Sequence, residues 1–228
     1  MKLYHSERLL GGSGSGNFGH SGRPGERGGS GEGGSGDVEQ SHIDSVKNYL
    51  GVSPTVNHYE VLSESEFDKR FNTDTITGKA GAITLPNNEI YIRSGSEDSG
   101  IHELVHASGF IPDKGSSGFI NEGLTQVAAS EIGSNIEIDV KSSYNDEVKF
   151  VNEKLIPATK MDKSDLLKQY ATASNKSEFL SNVIFNNNKD VFQNEDDWGK
   201  NIHKNIESDL KNTIGTSIYL DEIAKFNK

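Results

Sequence analysis

Apolar and polar residues alternate along the chain with periods that change several times, and each change predicts a new element. The segment HIDSVKNYL spaces its apolar side chains three or four residues apart and stops at Gly51, which predicts a short helix. The run TVNHYEVL is rich in β-prone residues and predicts a strand. In SESEFDKRF, Ser63 precedes Glu66 by three residues, a capping-box spacing that predicts the start of a second helix.

Two β-prone runs follow in AGAITLPNNEIYIR, separated by a Pro-Asn-Asn turn sequence. They predict a hairpin or a bent strand whose second arm is Glu89–Arg93. Strand, helix and hairpin in this order, followed by a long helical region, predict the α+β class.

Beyond residue 94 the pattern is mostly helical. SEDSGIHELVHASGF predicts a helix capped by Ser96 or Ser99 and stopped at Gly109, and FINEGLTQVAASEIG predicts another that ends at Gly133. Apolar stripes at the same spacing continue in DLLKQYATAS, in SEFLSNVIF and in WGKNIHKNIESDLKNTI, the last with Ile202, Ile206, Leu210 and Ile214. These stripes predict the core of a helical C-terminal subdomain.

Glycine content divides the chain into two regions. Thirteen of the 25 glycines lie between Gly11 and Gly36, and a segment of this composition buries too little apolar surface to offset the entropy of ordering it. We therefore expect residues 1–36 to form a disordered Gly/Ser-rich arm and residues 37–228 to form one folded domain. Within that domain, residues 37–110 are expected to form an α/β part and residues 111–228 a helical part.

Charge and cysteine content exclude several functions. Residues 37–228 carry 31 acidic and 19 basic side chains, so this region repels nucleic-acid phosphates and anionic membrane surfaces. No apolar run is long enough to span a membrane. Because the chain has no cysteine, disulfides, thiolate metal sites and cysteine catalysis are excluded, and any metal must be held by His, Asp or Glu.

The pentapeptide HELVH, residues 102–106, points to metal chemistry. Histidines four residues apart lie on one face of a helix, so His102 and His106 can bind the same Zn²⁺ ion. Glu103, beside the first histidine, can reach a water on that ion and act as a general base.

A catalytic zinc site needs a third protein ligand and a fourth position for water. Glu122, in the NEGLTQ segment that opens the next predicted helix, is the candidate, and Glu131 and His203 are the alternatives. The longer HExxH pattern with a third histidine is excluded, because Pro112 occupies that position.

IHELVHASGF and INEGLTQVAAS, preceded by AGAITLPNNEIYIR, together resemble the gluzincins, the thermolysin-like zinc metallopeptidases. This resemblance implies a zincin-like fold, in which a small mixed β-sheet has its edge strand packed on the HExxH helix. It also implies that His102, His106 and Glu122 bind zinc and that Glu103 is the general base. Many gluzincins have an aspartate where this chain has Gln126, whose amide oxygen can still accept the imidazole N–H of the first ligand histidine.

The implied reaction is peptide hydrolysis by a metal-activated water. Tyr144 is our candidate donor to the oxyanion, and His203 is a weaker rival. We expect the substrate to add as an extended strand along the sheet edge, which the resemblance assigns to Glu89, Ile90, Tyr91, Ile92 and Arg93.

These features predict a zinc-dependent endopeptidase that acts on protein or peptide substrates. The arm sequence GNFGHSGRPGERGGSG resembles an element of proteins from tailed-phage head and packaging gene clusters, which implies a phage-encoded protein whose arm associates with head components. One alternative is a phage head-associated structural or binding protein whose zincin domain is inactive or acts only on itself, and another is an effector aimed at host proteins. The start, MKLYHSERLLGGSG, lacks the apolar segment of a signal peptide, so we expect the protein in the bacterial cytoplasm or on the virion.

Overall fold

The computed structural model describes residues 35–71, 80–111, 118–141, 144–191 and 213–226. Residues 1–34 of the predicted arm lie outside these ranges. His203 also lies outside them, together with Ile202, Ile206 and Leu210 of the last predicted apolar stripe. None of the helices in the described ranges is long and apolar enough to cross a membrane.

The order of the elements confirms the predicted α+β class, with a small sheet and a mostly helical remainder. The first half of the chain contains α1 (Ser35–Leu50), β1 (His58–Leu62), α2 (Glu64–Phe71), β2 (Ala82–Thr84), β3 (Glu89–Arg93), α3 (Ser99–Ala107) and α4 (Phe119–Asn135). The helical part continues with α5 (Asn145–Phe150), a π-helical turn (Val151–Leu155), α6 (Ile156–Thr159), α7 (Lys163–Thr172), α8 (Lys176–Asn187) and α9 (Thr213–Phe226).

The described strands form one mixed sheet in the order β1–β3–β2. β3 pairs in parallel with β1 and in antiparallel with β2, and the β2–β3 hairpin turns through Asn88 at a φ of 60°. The expectation that Glu89–Arg93 forms the sheet edge is therefore wrong, because this strand has a hydrogen-bonded neighbour on each side. The free edges of the described sheet belong to β1 and β2.

Both faces of β3 are covered, which is typical of a central strand. Ile90 and Ile92 lie in the main core with Leu104 of α3, whereas Tyr91 lies in a smaller cluster with Phe67 of α2. The main core also includes buried residues of α7, α8 and α9. The sheet and the helical part therefore share one hydrophobic core.

Two helix starts test the predicted capping residues. At α2, the Ser63 backbone N–H donates to Glu66 Oε2 at 3.2 Å and the Glu66 N–H lies 3.4 Å from Ser63 Oγ, which confirms the capping box. At α3, the N-cap is Asp98, whose side chain accepts from the Ser99 N–H, so the prediction of Ser96 or Ser99 as the cap is wrong. The carboxylate at this position also interacts favourably with the positive end of the helix dipole.

Gly133 does not end α4, which continues to Asn135. A Cβ on Gly133 would lie 2.6 Å from Val140 Cγ2 and 2.7 Å from the Ile138 carbonyl oxygen. Glycine at this position therefore allows the chain that leaves the helix to fold back closely against its last turn, rather than stopping the helix.

Candidate metal centre and active site

Three side chains from two packed helices converge on one point. His102 and His106 lie one turn apart on α3, and Glu122 lies in the first turn of α4. Glu122 Oε2 is 3.2 Å from His102 Nε2 and 3.3 Å from His106 Nε2, and the two Nε2 atoms are 3.1 Å apart. Among the described residues, these three form the group of potential metal ligands that lies within coordinating distance.

The spacing of these three atoms fits a small tetrahedral cation. Bonds of about 2.0–2.2 Å from Zn²⁺ to nitrogen or oxygen, at tetrahedral angles, separate neighbouring ligand atoms by about 3.3–3.6 Å. The observed separations of 3.1–3.3 Å lie at or slightly below the lower limit of this range, so the side chains need to move apart by only a few tenths of an ångström. Two imidazole nitrogens and one carboxylate oxygen are also a ligand set of catalytic zinc, which leaves a fourth position open.

The outer nitrogens of both histidines face oxygen acceptors. His102 Nδ1 lies 3.0 Å from Gln126 Oε1, and His106 Nδ1 lies 2.6 Å from the Phe110 carbonyl oxygen. Each Nδ1 therefore carries a hydrogen, and in the neutral ring each Nε2 presents a lone pair. Two lone pairs this close together repel each other unless a proton or a metal ion lies between them.

The electrostatics of the group also favour a cation. Burial by itself lowers the pKa of His106, but the charge and hydrogen bond of Glu122, with a contribution from Glu103, raise it to about 9. Burial raises the pKa of Glu122, yet its interactions with His106 and His102 bring it far below its usual range. Glu122 is therefore ionised at neutral pH, and its negative charge is balanced either by a proton on His106 or by a metal ion.

Glu103 lies on α3 between the two histidines in sequence, and only 8% of its surface is exposed. Its Oε2 accepts a hydrogen bond of 2.6 Å from the Thr84 hydroxyl on β2. A short bond to a carboxylate is among the stronger hydrogen bonds in proteins and holds the carboxylate in one orientation. Thr84 was missed from sequence, because nothing in the β-prone run that contains it indicates a contact with the HELVH helix.

Tyr144 lies immediately before α5, and its ring stacks on the His102 imidazole with centroids 5.2 Å apart and planes 11° apart. Gly123 permits this arrangement, because a Cβ there would lie 2.7 Å from Val151 Cγ2 and 2.8 Å from the Glu147 carbonyl oxygen. The helical stretch that follows Tyr144 therefore packs directly on α4. The structure brings Tyr144 to the candidate ligand His102, and its role as an oxyanion donor stays a prediction.

The alternative third ligands do not join the group in the described structure. Glu131 lies farther along α4 and forms an ion pair with Lys163. His203 lies outside the described residues.

The free sheet edge beside Glu103 is β2 rather than β3. Backbone bonds from Arg93 N–H to Gly81 O and from Leu85 N–H to Glu89 O, each 2.8 Å, join the two strands on either side of Thr84. Because hydrogen-bonding direction alternates along an antiparallel strand, the backbone groups of Thr84 point away from β3. The strand edge that can accept an extended peptide therefore contains the same residue that holds Glu103.

A second hydrogen-bond path reaches His106 from the helical part. The Phe110 carbonyl, which accepts from His106, also accepts from Asn121 Nδ2 at 3.1 Å, and Asn121 Oδ1 accepts from the Tyr170 hydroxyl at 3.0 Å. The sequence pattern predicts only that Tyr170, on α7, is a core residue. Its polar contact with α4 depends on packing between segments 49 residues apart.

The site thus combines converging ligand atoms, a buried carboxylate beside them and a free strand edge. Such an arrangement can hold a cation and accept a proton next to it. In comparisons with known proteins, no family model, curated protein or solved structure matches the chain.

Proposed function

We propose that the protein is a zinc-dependent endopeptidase with a zincin-like fold of the gluzincin type. The observation that carries this proposal is the convergence of His102 Nε2, His106 Nε2 and Glu122 Oε2 at 3.1–3.3 Å, while both Nδ1 atoms face oxygen acceptors. Because the outer nitrogens are donors, the inner nitrogens are left to act as ligands.

The proposed chemistry assigns one task to each residue around the group. His102, His106 and Glu122 would hold Zn²⁺, which would supply a water of lowered pKa and polarise a carbonyl group. Glu103 takes a proton from the attacking water and later passes it to the leaving amine. Thr84 keeps the Glu103 carboxylate in place through its hydrogen bond to Oε2. Tyr144, which stacks on His102, is the candidate donor to the tetrahedral oxyanion.

The substrate is expected to be an extended protein or peptide segment. It would add to the free edge of β2, where Thr84 offers outward-facing backbone groups, instead of to β3 as first expected. Binding at this edge would place the peptide beside Glu103, because the Thr84 hydroxyl donates to the Glu103 carboxylate.

Zinc binding and cleavage can be tested with three variants. We expect the wild-type chain to bind one zinc ion and to cut members of an unbiased peptide library. Glu122→Gln should lose zinc, whereas Glu131→Gln, a matched change on the same helix at the Lys163 ion pair, should retain it. Glu103→Gln should retain zinc and lose about 10²- to 10⁴-fold in cleavage rate. Full activity in Glu103→Gln would overturn the mechanism.

The phage origin, the contact of the arm with head components and the location in the cytoplasm or on the virion are proposals that rest on the arm sequence. Zinc binding without cleavage of any peptide would favour the structural or binding alternative. Mass spectrometry of the N-terminus after incubation with zinc tests cleavage of the arm by the protein itself. A search for the chain in purified particles tests its association with the virion.

A further inference from the structure

The corner that follows α3 is packed tightly against the end of α7. Gly109 has a φ of 105°, and a Cβ on it would overlap the Ala171 carbonyl oxygen. The Phe110 ring meets the Tyr170 ring edge-on, with centroids 5.1 Å apart. Lys176 donates to the carbonyl oxygens of Tyr170 and Ala171, and these hydrogen bonds stabilise the end of α7. The Phe110 backbone is therefore held in place by a helix that contributes no ligand.

The Phe110 carbonyl accepts from two side chains at once. His106 Nδ1 donates to it at 2.6 Å and Asn121 Nδ2 at 3.1 Å, while the Tyr170 hydroxyl donates to Asn121 Oδ1 at 3.0 Å. Asn121 and Tyr170 are both buried, so solvent does not compete for these bonds. Turning the Asn121 amide over would bring its oxygen against the carbonyl oxygen, and the Tyr170 hydroxyl opposes this by donating to Oδ1.

We propose that Asn121 and Tyr170 are positioning residues for His106. Tyr170 orients the Asn121 amide, the amide holds the Phe110 carbonyl, and the carbonyl directs the imidazole so that its Nε2 points at His102 and Glu122. This inference rests on the proposed metal site and extends it to α7. Partners of this kind fix the tautomer and direction of ligand histidines.

Zinc affinity tests the proposal, by competition with a chromophoric chelator. Tyr170→Phe removes only the hydroxyl and keeps the ring on Phe110, and Asn121→Leu removes both amide groups at similar volume. Each should weaken zinc binding about tenfold to 100-fold. The double variant should bind no more weakly than Asn121→Leu, because both residues act through one carbonyl. Tyr49→Phe, which removes a hydroxyl of α1 that hydrogen-bonds Ser164 of α7, should leave the affinity unchanged.

Two further measurements separate positioning from general loss of stability. The visible spectrum of the Co²⁺-loaded protein should change in Tyr170→Phe and stay unchanged in Tyr49→Phe, since only the former alters the geometry of a ligand. In metal-free protein, the His106 ring N–H should exchange with water more slowly in the wild type than in Asn121→Leu. This signal is identified in NMR spectra by its absence from His106→Gln.

The outcomes distinguish the two proposals. Wild-type zinc affinity in both Tyr170→Phe and Asn121→Leu would overturn the positioning role. If the wild-type chain binds no zinc, the proposed function fails, and exchange of the His106 N–H in metal-free protein decides the positioning role by itself. Unchanged exchange would then overturn it. Should Asn121→Leu fail to fold, zinc affinity and His106 N–H exchange can both be measured on Tyr170→Phe, because that variant keeps the packing of the ring.

Discussion

Zinc binding should weaken as the pH falls below about 9, because zinc and a proton compete for His106. In the metal-free protein, burial opposes protonation of this ring, but the Glu122 charge and hydrogen bond outweigh burial and raise the pKa to about 9. The nitrogen that faces Glu122 is Nε2, at 3.3 Å, and the same nitrogen is the proposed ligand. The proton and the metal therefore cannot be bound together.

The size of the effect follows from the distance between the pKa and the assay pH. At pH 7, a group with a pKa of about 9 is deprotonated in about 1% of molecules. The apparent zinc affinity at pH 7 should then be about 100-fold below its limit above pH 9, which corresponds to about 3 kcal/mol. Between pH 7 and 8 the affinity should rise about tenfold, and it should level off above pH 9.

Competition with a chelator of known pH dependence measures the affinity at each pH. Calorimetry at pH 7 in two buffers of different ionisation enthalpy should show release of about one proton per zinc ion. Glu131→Gln should show the same slope, because Glu131 pairs with Lys163 and not with His106. Flat affinity between pH 7 and 8 with no proton release would refute competition from a proton that Glu122 holds on His106.

Three further predictions concern Glu103, the corner after α3 and the stability of the metal-free protein. Thr84→Val should lower kcat by roughly tenfold or more without weakening zinc binding, because the Glu103 carboxylate loses a hydrogen bond. Thr84→Ser, which keeps the hydroxyl, should restore kcat, and an unchanged kcat of Thr84→Val in steady-state kinetics would contradict this prediction. Gly109→Ala should lower the free energy of unfolding in urea by more than about 2 kcal/mol, because the added methyl group overlaps α7 and the backbone is left-handed. Gly51→Ala, at a φ of 75° with open space around it, should lower it by only about 1 kcal/mol. Equal losses in the two variants would argue against the packed corner. Because the folded-state pKa of His106 is raised from 6.5 to about 9, protonation of this group should stabilise the metal-free protein below pH 6.5. The free energy of unfolding should fall by about 3 kcal/mol as the pH rises from 6.5 through 9, which thermal melts at several pH values would detect. A melting temperature that is independent of pH over this range would count against this prediction.

Local sequence was sufficient for the features that depend on neighbours in the chain. The helical period of HELVH puts His102 and His106 on one face, and the capping box at Ser63 and the Pro-Asn-Asn turn give the start of α2 and the β2–β3 hairpin. These features involve contacts over a few residues, so side-chain spacing alone predicts them.

Strand order was not predictable in the same way. The burial of both faces of β3 could have been suspected from its nearly continuous apolar run, but the parallel pairing with β1 joins segments about 30 residues apart, across α2. Because of that pairing, Glu89–Arg93 is the central strand, and the free edge near Glu103 belongs to β2. Packing of α3 on β2 places Thr84 against Glu103, a contact with no signal in either segment.

The third candidate ligand likewise depends on contacts that the sequence pattern does not specify. Spacing on α4 left Glu131 open as an alternative to Glu122, because both lie on one predicted helix. Packing of α4 on α3 brings the first-turn carboxylate to the two histidines and leaves Glu131 beside Lys163. The hydrogen-bond path to His106 through Tyr170 likewise exists only because α7 packs on the corner at Phe110. The residue types suited to metal chemistry are therefore evident in the linear chain, whereas their partners depend on contacts between distant segments, which only the packed core establishes.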